Sequence, residues 1–164
     1  MYKTAYIGIG SNLGNSVEQV RLAIENIRKI TVGVKAVSSL YTSPPWGFES
    51  SNDFVNAVIA IETEQDAEGL LNELLLIEQE MGRKRKKNAA YESRIIDLDL
   101  IDYNGAQINS GKLTIPHPLM HKRAFVLLPL KEIAPDWKHP TFHLSIDQYI
   151  KKIKKPETVK KIAL

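Results

Sequence analysis

Apolar positions recur along this chain with two periods, and the switches between them divide it into elements. Alternation from Thr4 to Ile9 predicts a strand. Val20, Ala23, Ile24, Ile27 and Ile30 then follow helical spacing behind Ser16-Val17-Glu18-Gln19, which has the spacing of a capping box, and Gly33 ends that helix. A second strand is predicted from Val34 to Tyr41 and a third from Asp53 to Glu62, the latter apolar on both rows except at Asn56. Asp66 can cap a second helix whose buried stripe is Leu70, Leu74, Ile77 and Met81, with Gly82 as its stop. A fourth strand spans Arg94 to Asp102. Tyr103-Asn104-Gly105-Ala106 is then a hairpin signal with a return strand at 107–109. Phe125 to Leu128 is a buried run, and Ser145 to Lys155 reads as a last helix ended by Pro156. The order β-α-β-β-α-β predicts an α+β fold, a ferredoxin-like sandwich with one antiparallel sheet and helices on one face. No repeat or linker interrupts it, so residues 1–164 read as a single domain.

The fourth strand carries the most pointed chemistry. Side chains alternate along a strand, so Asp97 and Asp99 share one face while Ile96, Leu98 and Leu100 share the other. The apolar row can enter a core and leave two acids side by side, roughly 6–7 Å apart. Like charges that close repel unless a cation lies between them, and hard oxygen donors suit Mg²⁺. Acid pairs at this spacing also occur on ordinary solvent-facing strands. The surroundings favour the cation here. Arg83-Lys84-Arg85-Lys86-Lys87 and Arg94 precede the pair, and Lys112, His117, His121, Lys122 and Arg123 follow it. Basic groups around two carboxylates form a receptacle for a metal–polyphosphate complex.

Composition narrows the class. The chain is 43% hydrophobic and 25% charged, that of an ordinary globule. It has no cysteine, which excludes disulfides and thiolate metal sites and suits a cytoplasmic location. No apolar run approaches the ~20 residues of a membrane span, and the N-terminus lacks the apolar core of a signal peptide. The net charge of +3 is concentrated in a lysine-rich end, about 151–164, expected as a solvated, frayed tail. The body is not basic, so nucleic acid is not an expected partner. The chain is read as a monomer.

Other candidate sites rank lower. The loop Thr42-Ser43-Pro44-Pro45-Trp46-Gly47-Phe48 is stiffened by two prolines and carries aromatics that either pack in the core or wall a pocket for a flat ligand. Asn56 needs partners if buried; its amide suits the edge of a heterocycle or a structural hydrogen bond. His117/His121 and His139/His143 have i, i+4 spacing, but Pro118 and Pro140 follow the first member of each pair, which argues against zinc. There is no phosphate-binding Gly-x-x-x-x-Gly-Lys loop, and Gly8-x-Gly10 alone is too weak a signal to count.

Several segments together resemble the hydroxymethyl-dihydropterin pyrophosphokinases of folate biosynthesis. They are Ile9-Gly10-Ser11-Asn12-Leu13-Gly14, Tyr41-Thr42-Ser43-Pro44-Pro45-Trp46-Gly47, Asp53-Phe54-Val55-Asn56-Ala57, Glu78-Gln79-Glu80-Met81-Gly82-Arg83, Arg94-Ile95-Ile96-Asp97-Leu98-Asp99, and Ile115-Pro116-His117-Pro118 through His121-Lys122-Arg123-Ala124-Phe125-Val126. The resemblance implies transfer of pyrophosphate from ATP to the hydroxymethyl group of a dihydropterin, releasing AMP. It implies two Mg²⁺ ions held by Asp97 and Asp99. The pterin would lie between Phe54 and Phe125, with Asn56, Ser43 and Pro44 on its polar edge and Trp46 closing the pocket. Arg83, Arg85, Arg94, His117 and Arg123 would contact the triphosphate, with Arg83 and Arg85 counted as catalytic. Adenine would rest near Leu100, Lys112, Leu113 and Thr114. Tyr91 would take the nucleotide-side position where the family often has tryptophan. Leu75 and Leu119 replace a glutamine and an arginine found in some members, which implies activity with altered nucleotide affinity.

Overall fold

The computed structural model describes residues 2–45, 52–82 and 95–162. Its elements are β1 (Lys3–Ser11), α1 (Ser16–Arg28), β2 (Gly33–Val37), β3 (Tyr41–Ser43), β4 (Phe54–Thr63), α2 (Ala67–Glu80), β5 (Asp97–Tyr103), β6 (Ile108–Asn109), β7 (Thr114–Ile115), α3 (Ala124–Ile133), α4 (Ile146–Ile150) and β8 (Lys160–Lys161), with 3₁₀ turns at Met120–Lys122 and Pro156–Thr158. The main sheet is antiparallel with order β5-β1-β4-β3-β8, and β2 also pairs with β4. This is the predicted α+β architecture, with two differences in how it is covered and edged.

The first difference is that helices pack on both faces. Ile7, Ile9, Ala57, Ile59, Ile61, Leu98 and Leu100 meet Val20, Ile24 and Ile27 of α1 and Leu70, Leu74 and Ile77 of α2 in one core. The residues between them in sequence face the other way. Val58 and Ile101 pack with Val126, Leu127 and Leu130 of α3 and Ile146 and Tyr149 of α4. Both rows of β4 are therefore apolar, because both faces are covered. The predicted buried run at Phe125 is part of helix α3, with Pro129 inside it.

The second difference lies at the C-terminal end. The expected helix over 145–155 stops after Ile150, and Ser145 and Gln148 form its capping box. The lysine-rich segment, expected to fray, turns at Lys155 (φ 55°) and pairs β8 with β3. Val159 inserts between Tyr41 and Ala124, burial that the count of lysines conceals.

Smaller departures are local. Asn15, not Ser16, caps α1, its side chain accepting the Glu18 N–H. The predicted strand 34–41 is two strands, because Ser38 turns its hydroxyl to the Val58 N–H at 2.9 Å and Ser39 leaves the ladder. The Asn104-Gly105 turn forms with both φ angles positive, but β6 returns to β7 and not to β5.

Candidate active site

β5 positions the acid pair as its alternation requires. Leu98 and Leu100 enter the core under α1 and α2, so Asp97 and Asp99 stand on the opposite face. Asp99 Oδ2 lies 3.9 Å from Arg123 Nη1. Arg123 precedes α3, where its carbonyl accepts the N–H groups of Val126 and Leu127. Its side chain is almost buried, and its guanidinium carbon lies 5.6 Å from the centre of the Phe125 ring. The start of one helix thus delivers both a cation and an aromatic wall beside the acids.

Electrostatics show what the pair lacks. Burial, then the charge of Asp97, push the Asp99 carboxyl up to about 8; Arg123 opposes this and Glu78 adds to it. An acid held that high is short of positive charge. A dication beside the pair would relieve the repulsion, and carboxylate oxygens are the donors Mg²⁺ prefers. Among the described residues no group of three His, Cys, Asp or Glu side chains forms a closed metal cage. The donors present at the pair are the carboxylate oxygens of Asp97 and Asp99, which are hard ligands of the kind Mg²⁺ takes.

His117 comes to the same region. Its N–H donates to the Ile101 carbonyl at 2.9 Å, which ties the 116–119 turn to the end of β5. Its Nδ1 accepts the Leu119 N–H at 3.2 Å, so the Nε2 nitrogen carries the proton of the neutral ring. Burial and the neighbouring Arg123 hold the ring down at about 4 against the pull of Asp97. Without nucleotide, His117 is therefore a hydrogen-bond donor and not a positive charge.

The adjacent strands supply a different chemistry. Asn56 is buried on β4 and donates from Nδ2 to Ser43 Oγ on β3 at 2.7 Å. Phe54 stands two residues away on the same face of β4. The face bearing Asn56 is the face bearing Asp97, since Gly10 of β1 is paired with both.

On the far edge, β5 has no further strand of the main sheet beside it among the described residues. The Leu98 N–H points outward there and donates to Glu78 Oε2 at 2.7 Å. Strand alternation turns the Leu100 N–H the same way, while its side chain is core. Lys112 and Thr114 are exposed and Leu113 is buried on the ribbon of β6 and β7 nearby. Trp46, Arg83, Arg85, Tyr91 and Arg94 lie outside the described residues.

Two features escaped sequence reasoning. Glu78 belongs to a motif of the resemblance without a role of its own, yet it is buried on α2 and supports the acid strand. Its signal was an acid adjoining Ile77 and one turn past Leu74, on the apolar stripe. The second is the glycine pair of β1. The histidines His121 and His139 instead belong to an aromatic cluster with Phe142 and Tyr149, in which His139 stacks on Phe142 and its Nδ1 accepts the Thr141 and Phe142 N–H groups.

Comparison with known proteins shows the family to which the chain belongs. A family model described as 7,8-dihydro-6-hydroxymethylpterin-pyrophosphokinase (HPPK) matches residues 6–135. The 2-amino-4-hydroxy-6-hydroxymethyldihydropteridine pyrophosphokinase of Haemophilus influenzae is 45% identical over 81% of this chain and 82% of its own length. That of Aquifex aeolicus is 33% identical over 96% and 94%. A crystal structure of a Plasmodium falciparum HPPK-DHPS triple mutant covers the whole chain with a TM-score of 0.78 at 17% identity, a likeness of fold. This chain spans 48% of that longer one. Fold and relatives together define an enzyme that transfers diphosphate. The chain belongs to the 7,8-dihydro-6-hydroxymethylpterin-pyrophosphokinase family, a pyrophosphokinase of folate biosynthesis.

Proposed function

We propose that this chain transfers pyrophosphate from ATP to the hydroxymethyl group of 6-hydroxymethyl-7,8-dihydropterin and releases AMP. The hydroxyl oxygen forms a bond to the β-phosphorus, the bond from that phosphorus to the α,β-bridging oxygen breaks, and the hydroxyl proton leaves to solvent. The observation that carries this is the single sheet face shared by Asp97, Asp99 and Asn56, flanked by Arg123 and Phe125.

Asp97 and Asp99 would hold Mg²⁺, two ions in the fullest form of this reading. Mg²⁺, when bound there, would supply positive charge to the phosphate oxygens. The chain's own residues supply position and complementary charge, which is most of what such a transfer needs. Arg123 offers a fixed guanidinium to phosphate oxygens, and His117 offers its Nε2–H. Asn56, held by Ser43, presents an amide to the heterocycle, and Phe54 and Phe125 offer ring faces. Pro44 stiffens the strand exit beside Ser43. The outer edge at Leu100 and the Lys112–Thr114 segment offer backbone groups to adenine. The resemblance assigns Arg83, Arg85 and Arg94 to the triphosphate, Tyr91 to the nucleotide and Trp46 to the pterin pocket, all of them outside the described residues.

The test is one incubation with ATP, Mg²⁺ and hydroxymethyl-dihydropterin, read by the nucleotide product. AMP supports this reading. ADP would mean ordinary kinase chemistry, and no product would leave a binding or scaffold role.

A further inference from the structure

The acid strand β5 and the amide-bearing strand β4 are not neighbours: β1 lies between them. Gly10 of β1 is the residue paired with Asp97 on one side and Asn56 on the other. Any substrate that reaches from Asn56 to the acids crosses Gly10, over about 10 Å of two strand spacings. A Cβ at Gly10 would stand 3.3 Å from Asn56 Oδ1 and 3.6 Å from Phe54 Cδ1. It would therefore occupy the space beside the amide and the ring.

We propose that Gly10 is a specificity-determining residue, whose missing side chain sets the depth at which a flat bicyclic ring lies between Asn56 and Asp97. This rests on the pterin reading of the Asn56 side given above. Its neighbour Gly8 has a different reason to be bare. A Cβ there would stand 3.0 Å from Ile101 Cδ1, so the Ile101 side chain already covers that position. At Gly8 the nearest group belongs to the core, whereas at Gly10 the nearest groups are the Asn56 amide and the Phe54 ring of the pterin side.

A strand glycine has a structural cost, since it loses more backbone freedom on folding than alanine does. Gly10 has a negative or extended φ, unlike Gly14, Gly82 and Gly105, which are the glycines with positive φ among the described residues. Backbone conformation therefore does not demand glycine at this point. The demand comes from what would share the space.

The experiment compares wild type with Gly10→Ala and Gly8→Ala, at 10 °C in sucrose so that a weakened fold remains populated. Fluorescence titration with 6-hydroxymethylpterin in the presence of a non-hydrolysable ATP analogue reads the pterin side. Titration with the analogue and Mg²⁺ reads the nucleotide side, and circular dichroism reads folding. Gly10→Ala is expected to weaken pterin binding about 10-fold or more, the effect of one misplaced methyl in a fitted pocket, and to change analogue binding less than about twofold. Gly8→Ala is expected to lower Tm and keep pterin affinity. Unchanged pterin affinity in folded Gly10→Ala overturns the inference, as does equal loss of both ligands. A Gly10→Ala that does not fold under these conditions also overturns the inference, since the bare position then serves packing. A wild type that binds the analogue and no pterin refutes the functional reading itself, a result visible before any variant is made.

Discussion

Glu78 on α2 accepts a hydrogen bond from the N–H of Leu98, the residue between the two aspartates, at 2.7 Å. A buried carboxylate thus satisfies the exposed edge of the acid strand and fixes where that strand lies against the helix. Glu78→Leu leaves the Leu98 N–H without that acceptor and is expected to cost about 1–3 kcal/mol. Glu78→Gln keeps an acceptor oxygen and should retain most of the stability. Urea unfolding of both variants checks the difference; equal stability would remove the strand-positioning role.

Asp97 and Asp99 make opposite demands on stability and function. Asp97→Ala should cut turnover at least about 10³-fold if the pair supports two-metal chemistry. Above about pH 8, where Asp99 is ionised, it should leave Tm unchanged or higher, because a like charge beside Asp99 is gone. A chelator should abolish wild-type turnover and added Mg²⁺ restore it. Turnover that survives either treatment contradicts the metal role.

The ligand-free chain should have its highest Tm near neutral pH, and the signs give the window. The folded Asp99 carboxyl is raised from 3.8 to about 8, so the folded state holds that proton longer than the unfolded one. Its contribution is present at low pH and is lost as pH rises from about 4 to 8. His117 and His139 are lowered from 6.5 to about 4, both chiefly by burial. Their contribution is present above about 6.5 and is lost as pH falls to 4. Thermal melts across pH 4–9 without metal should rise, then fall; with Mg²⁺ and an ATP analogue the alkaline fall should shrink.

Glu132 is the knot that holds the C-terminal strap. It accepts from the Ser39 N–H at 2.6 Å, the Ser39 hydroxyl at 2.8 Å and the Tyr41 hydroxyl at 3.3 Å, and pairs with Lys161 at 3.7 Å. One carboxylate on α3 therefore ties together the β2–β3 connection and β8. Burial works against its charge, but these partners together hold it below the usual glutamate range. Ending the chain at Lys155 removes β8 and Val159, opens the β3 edge, and should lower Tm and promote aggregation. Glu132→Ala should cost about 1 kcal/mol, given its partial exposure. Differential scanning fluorimetry with light scattering reads both.

The sequence was a good guide wherever one period governs one face. The alternation of Ile96 to Leu100 placed Asp97 and Asp99 together without any knowledge of neighbours. Helix stripes at Val20 to Ile27 and Leu70 to Ile77 were legible for the same reason. It misled where a local signal had a distant competitor. Ser38 reads as a strand residue, but its hydroxyl takes the Val58 N–H and splits the strand. The lysines of the tail read as solvated, but Val159 among them finds Tyr41 and Ala124.

Local pattern alone determined that two acids would stand on one strand face, because alternation depends only on the chain's own geometry. Which residues would meet them was decided by strand order and helix docking. Arg123 reaches Asp99 across 24 positions of sequence because α3 covers the face that the acids occupy. Gly10 separates Asp97 from Asn56 because β1 threads between two strands far apart in the chain. Neither relation leaves a periodic trace, since contacts between distant segments are set by packing and not by the spacing of neighbours.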